Sequence, residues 1–156
     1  MEQRVLTLAD QDATESLARS IAAASRPGDV ILLAGPLGAG KSCFARAFIR
    51  AIAADPTLDV PSPSFTLVQT YPTNPPITHA DLWRLQGDTD LIELGLDFAE
   101  RAIFLIEWPD RLGAAVPPMA LSIALAWHGA DERTALVSGP ALMLDRLLPK
   151  RMVSGR

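Results

Sequence analysis

An α/β domain of three layers, with a central sheet covered on both faces, is the fold that the sequence predicts. Three observations carry it. Val30-Ile31-Leu32-Leu33-Ala34 and Ala102-Ile103-Phe104-Leu105-Ile106 are short, unbroken apolar runs rich in branched residues, the pattern of strands buried on both sides. Apolar residues at helical spacing precede and follow the first run. Residues 65–71 alternate like a strand and residues 77–83 read as its return, with Pro72-Thr73-Asn74-Pro75-Pro76 as the turn of a hairpin.

The elements follow in order. Residues 7–14 are polar and turn-like. Over residues 13–25, Leu17, Ala18, Ile21 and Ala22 fall on one helical face, Asp12 is the expected cap, and Arg26-Pro27-Gly28-Asp29 stops the helix. After the strand at 30–34 comes a glycine-rich turn at 35–40. A helix is expected from Lys41 to about Ala54, with Phe44, Ala47, Phe48, Ala51 and Ile52 along one side and Asp55-Pro56-Thr57 at its end. Residues 88–100 are acidic and read as two short helical pieces broken at Gly95. The second buried run ends in Glu107. Pro117-Pro118 opens a last segment with strands near 121–127 and 134–138 and a helix near 141–148. Residues 150–156 are basic and are expected to form a mobile tail of a single domain spanning 1–156.

Composition narrows the function classes. With 49% apolar and 21% charged residues the chain is of globular type, not disordered. A formal net charge of −4 argues against coating nucleic acid or an anionic membrane by charge alone. The single cysteine, Cys43, leaves no intrachain disulfide and no cysteine-based zinc site. No stretch approaches the ~20 apolar residues of a membrane span, and Met1-Glu2-Gln3-Arg4 does not open like a signal peptide. A cytoplasmic protein is expected.

One stretch carries a chemical device. Gly35-Pro36-Leu37-Gly38-Ala39-Gly40-Lys41-Ser42 fits G-x-x-x-x-G-K-[ST] between a buried strand and a helix. The glycines let the backbone wrap so that N–H groups along Gly35, Leu37, Gly38, Ala39, Gly40, Lys41, Ser42 and Cys43 can cradle phosphate oxygens. The helix adds its positive N-terminal end. Lys41 is the expected partner of the β- and γ-phosphates, and the Ser42 hydroxyl is placed to ligate Mg²⁺. A phosphate cradle needs a carboxylate on the magnesium side at the end of a neighbouring strand, and Glu107 stands in that position. Asp81 ends another strand, and His79, two residues before it, shares its face in a structural or orienting role. The Cys43 side chain reads as a small buried hydrophobe. The loop Val60-Pro61-Ser62-Pro63-Ser64-Phe65 holds the chain position of a γ-phosphate-sensing loop, with Ser64 as its candidate residue.

The ordered set of the glycine loop, Pro61-Ser62-Pro63-Ser64-Phe65-Thr66-Leu67-Val68, His79-Ala80-Asp81-Leu82-Trp83-Arg84-Leu85, Glu93-Leu94-Gly95-Leu96 and Ile106-Glu107-Trp108-Pro109-Asp110 resembles the TsaE (YjeE) family of small P-loop ATPases. The likeness spans about residues 8–133. It implies a P-loop NTPase fold with a mixed, mainly parallel central sheet and a β-hairpin. It further implies ATP and Mg²⁺ as cofactors, slow ATPase activity, a role in forming N6-threonylcarbamoyladenosine in tRNA, and the TsaD and TsaB proteins as partners, with tRNA met indirectly. By position it gives Lys41 to the phosphates, Ser42 and Glu107 to the metal, Ser64 to γ-phosphate sensing and Asp81 to hydrolysis. Gln11 and Arg133 fall near its base and ribose contacts. Ser42 and Ser64 stand where the family usually has Thr, and Trp83 where it usually has Tyr. Two other readings stay open from the residues: a small-molecule or nucleoside kinase, and a nucleotide-sensing scaffold that does not hydrolyse.

Overall fold

The computed structural model describes residues 1–85 and 91–149. In chain order they form β1 (Glu2–Leu8), α1 (Gln11–Ala24), β2 (Val30–Ala34), α2 (Lys41–Ala53), β3 (Val68–Tyr71) and β4 (Ile77–Asp81). These are followed by β5 (Ile103–Glu107), a 3₁₀ segment (Pro109–Ala115), β6 (Ala120–His128), β7 (Glu132–Gly139) and α3 (Ala141–Leu147). The seven strands make one sheet in the order β1-β7-β6-β2-β5-β4-β3. Its centre, β6-β2-β5-β4, is parallel, and β1, β7 and β3 add antiparallel flanks. This is the expected mixed sheet with its hairpin.

Parity along the strands divides the core. Ile31, Leu33, Ile103 and Leu105 point to the face covered by α1, α2 and α3, through Leu17, Ile21, Phe44, Phe48 and Leu144. Val30, Leu32, Phe104 and Ile106 point to the other face. There the cover consists of turns and the 3₁₀ segment, through Leu82, Leu85, Leu96 and Leu112, with Phe98 set edge-on to Phe104 at 5.0 Å. Each fully buried Leu, Ile or Phe contributes roughly 1.5–3 kcal/mol. The strands are therefore a stiff frame for whatever stands at their ends.

Several expectations need correction. The polar stretch at 7–14 holds no turn of its own: Thr7 and Leu8 end β1, an edge strand paired antiparallel with β7, and Gln11 already opens α1. The cap of α1 is Asp10, whose carboxylate accepts from the Ala13 N–H at 2.9 Å, and not Asp12. On α2, Ala51 is exposed and Ile52 half-buried, whereas Ala45 and Ile49 are buried, because the helix packs against both the sheet and α1. The hairpin strands are shorter than expected, since Leu67 adopts a left-handed conformation (φ 66°) before β3 and β4 ends at Asp81. Residues 91–100 form turns, with Gly95 at φ 92°, where helical pieces were expected. Residues 86–90 of that stretch and the tail at 150–156 lie outside the described residues.

Candidate functional site

The four parallel strands end along one edge of the sheet, the edge where α/β sheets gather ligands. Register brings the ends into line. Glu107 on β5 pairs with Asp81 on β4 and with Leu33 on β2, and Ala34 pairs with Ala124 on β6. The turn after β2 leads straight into α2. Gly35 has φ 137°, and a Cβ there would lie 2.4 Å from the Leu125 carbonyl oxygen, so only glycine lets the loop pass this close to β6. Gly40, with φ 111°, caps α2 without a side chain, which leaves the first N–H groups of the helix to the loop side. Trp127, on the adjoining end of β6, donates from Nε1 to the Gly38 carbonyl at 2.8 Å and so holds the tip of the loop.

A cleft of about 480 Å³ opens on this edge. Leu37, Gly38, Gly40, Lys41, Ser42 and Cys43 line one wall, Ser62 and Ser64 a second, and Asp81, Arg84, Glu107 and Trp108 the floor and far side. Gly35 and buried Ala39 shape the loop from behind. Lys41 is buried. Its ammonium donates to the Gly35 carbonyl and, at 3.4 Å, to that of Pro36, and it lies 3.9 Å from the centre of the Trp108 ring. Burial lowers its pKa below the ordinary lysine value, while Glu107, Asp81 and Asp110 pull the other way.

Two carboxylates share the strand ends. Glu107 is 2% exposed, and its Oε2 lies 2.7 Å from Nε2 of the equally buried His79. Among the described residues Nδ1 of His79 finds no partner. Asp81 accepts from the Trp83 N–H at 3.0 Å. Burial raises the Asp81 carboxyl above its usual range; the Trp83 bond, His79 and Lys41 oppose the shift, and Glu107 adds to it. Buried groups whose charges are shifted against one another in a cleft make it a candidate functional site. Trp108 has a left-handed backbone (φ 57°), and its ring packs on Trp83 at 4.5 Å.

Of the other expected residues, half-buried Ser64 and exposed Ser62 line the cleft, and the Leu67 carbonyl accepts from the Asp81 N–H at 2.9 Å, tying that loop to β4. Gln11 and Arg133 line a second hollow of about 210 Å³, which shares Gly38, Gly40 and Cys43 with the first. Gln11 also donates to Glu15 at 2.8 Å, and Arg133 to the carbonyls of Ala130 and Glu132. Cys43 is half-buried, not buried, and burial with Glu15 pushes its thiol pKa up, against a nucleophilic role.

Trp127 as the clamp of the loop was not foreseen from sequence, and neither was the direct His79–Glu107 bond. Shared strand parity of His79 and Asp81 was the available signal for the second; nothing local signalled the first, because it needs the β2–β6 register.

The donor set can be tested against Mg²⁺. Ser42, Asp81 and Glu107 offer oxygen, which suits that ion. Among the described residues no cluster of three His, Cys, Asp or Glu could cage a metal by itself. That fits an ion completed by water and substrate phosphates.

A family model described as "Threonylcarbamoyl adenosine biosynthesis protein TsaE" matches residues 8–135. A curated tRNA threonylcarbamoyladenosine biosynthesis protein TsaE from Rickettsia felis is 37% identical over 136 residues, 86% of this chain and 78% of its own length. The one from Bacillus subtilis is 33% identical, over 85% and 84% of the two chains. The crystal structure of Bacillus subtilis YdiB superposes with a TM-score of 0.79 at 27% identity, covering 99% of this chain and 97% of that one.

Proposed function

The chain belongs to the TsaE family, and on that premise we propose that it is a Mg²⁺-dependent ATP-binding protein and slow ATPase. It serves the formation of N6-threonylcarbamoyladenosine next to the anticodon of tRNAs. The observation that carries the reading is the convergence of Lys41, Ser42, Asp81 and Glu107 with the front of α2 on one cleft.

The triphosphate lies on the backbone N–H groups of residues 37–43, where aligned amides and the helix front favour negative charge. Lys41 gives up the Gly35 and Pro36 carbonyls for β- and γ-phosphate oxygens. The Trp108 ring keeps the lysine stem on that side of the cleft. Mg²⁺, when bound there, would supply positive charge to offset the negative charge of the phosphates. Ser42 and Glu107 hold it, and His79 fixes the Glu107 carboxylate in one orientation, in the way that outer partners orient metal ligands. Ser64 senses the γ-phosphate. Asp81, at the end of β4 in the cleft, orients the attacking water. The hollow lined by Gln11, Cys43 and Arg133 takes the ribose and base.

TsaD and TsaB are the proposed partners, tRNA is met through them, and the cytoplasm is the proposed site of action. Among the described residues no helix is long and apolar enough to cross a membrane. The chain is proposed to act as one domain. ATP turnover measured with and without TsaD and TsaB tests the reading. The expected result is stimulation by the partners. No stimulation by any combination contradicts the partnership, and a nonhydrolysable analogue that sustains repeated rounds of modification favours the scaffold reading.

A further inference from the structure

We propose that Arg84 is a catalytic residue of this chain, the cation that meets the charge spreading over the γ-phosphoryl oxygens during hydrolysis, and that Phe65 holds it in place. The inference rests on the ATPase reading above and assigns a group which that reading leaves without a task.

Two of the side chains lining the cleft are permanent or near-permanent cations, Lys41 and Arg84. Lys41 is engaged by the loop carbonyls and the Trp108 ring. Among the described residues no carboxylate pairs with Arg84. Its guanidinium lies 4.5 Å from the centre of the Phe65 ring, and that ring is 81% exposed. A cation set on an exposed ring, with no carboxylate among the described residues paired to it, is held by that ring contact at the cleft.

The backbone beneath it is fixed. Leu82 donates to the Glu107 carbonyl at 3.1 Å and Leu85 to that of Leu82 at 3.0 Å, with both leucines buried on the far face of the sheet. Trp83 is pinned by its N–H to Asp81 and by its ring on Trp108. Arg84 therefore springs from a rigid turn at the mouth of the cleft, three residues past Asp81. Phe65 directly follows Ser64 on the opposite wall. The ring contact thus joins the loop at 62–65 to the turn at 81–85.

The chemistry requires such a group. A water oxygen forms its bond to the γ-phosphorus while the bond from that phosphorus to the β,γ-bridging oxygen breaks. The electron pair leaves on ADP, and the water proton ends on inorganic phosphate. Charge is spread over the three γ-oxygens and grows on the bridging oxygen that leaves with ADP, in a cleft that already holds two carboxylates. A planar guanidinium reaches two such oxygens at once, which an ammonium does not. Arg84 stays protonated throughout.

The test compares Arg84→Ala, Arg84→Lys, Phe65→Leu and Lys41→Ala in the full chain, by single-turnover hydrolysis and by binding of Mg·ADP with and without aluminium fluoride. Arg84→Ala is expected to slow turnover about a hundredfold or more. Its Mg·ADP affinity should stay within about twofold of native, and the added affinity that aluminium fluoride brings should disappear. Arg84→Lys should recover a minor part, and Phe65→Leu should lower turnover without changing ADP affinity. If Arg84→Ala keeps native turnover and native aluminium fluoride binding while Lys41→Ala abolishes both, the assignment of Arg84 is overturned and the site stands. If Lys41→Ala also binds and turns over as native, the ATPase reading itself fails.

Discussion

Two groups of buried charges stand at opposite edges of the sheet, and they are built to opposite rules. At the edge where β2 begins, Asp29 is fully partnered: it accepts from both Nη atoms of Arg146 on α3, at 2.9 and 2.7 Å, and from the Arg26 N–H at 2.8 Å. Arg146 uses a further N–H on the Ala24 carbonyl at 2.8 Å, closing the C-terminal end of α1. At the other edge, Lys41, His79, Asp81 and Glu107 are buried more deeply than Arg146 but poorly matched. Burial pushes the lysine down and the aspartate up, two carboxylates face each other, and one imidazole nitrogen has no partner among the described residues. A satisfied cluster holds elements together. A frustrated one, at the C-terminal ends of parallel strands, is completed by what it binds.

The contrast predicts mutations with opposite signatures. Glu107→Gln keeps an oxygen for His79 and removes one of the two facing charges. Turnover should fall by about a hundredfold or more, while the melting temperature stays level or rises. Parallel ATPase and thermal-melt assays check this, and a large loss of stability would place Glu107 with the structural pair instead. Arg146→Ala should do the reverse. It strands the Asp29 carboxylate and frees the end of α1, at a cost of about 2–3 kcal/mol, or a drop in melting temperature on the order of 5–10 °C. Nucleotide affinity should be unchanged.

The smallest effect lies outside both clusters, at the end of α2. Asp55 accepts from the Thr57 N–H and hydroxyl, and these bonds hold its carboxyl below the usual range. A depressed carboxyl adds stability that is present above its unfolded pKa and is lost as the pH falls through the folded one. Thr57→Val should therefore lower the neutral plateau slightly and so flatten the acid limb, with the difference from native vanishing at the acid end. Melting curves between pH 2 and 7, on the order of one per unit, would show it.

How legible each edge was in the sequence follows from how local its signals are. The strand at 30–34, the glycine loop and the start of α2 carry three independent patterns within about twenty residues, and the structure places them as read. Glu107 was legible because an apolar run ends in it. The structural pair was not, since Asp29 and Arg146 are separated by 117 residues and nothing local marks either one. β1 was missed for a similar reason. Leu6 and Leu8 are its buried residues, and an edge strand so exposed is specified by its partner β7, more than a hundred residues away. Both Asp10 and Asp12 are chemically fit to cap α1, and only the phase of the helix chooses between them. The contact of Arg84 with Phe65 depends on two turns meeting, which no spacing reveals.

The most direct test of the frustrated edge is an equilibrium titration of Mg·ATP into the native chain and into Lys41→Ala, followed by calorimetry. The account predicts saturable one-to-one binding by the native chain, a loss of affinity of about a hundredfold or more in the variant, and no loss of fold by circular dichroism. Equal binding by both proteins would contradict it.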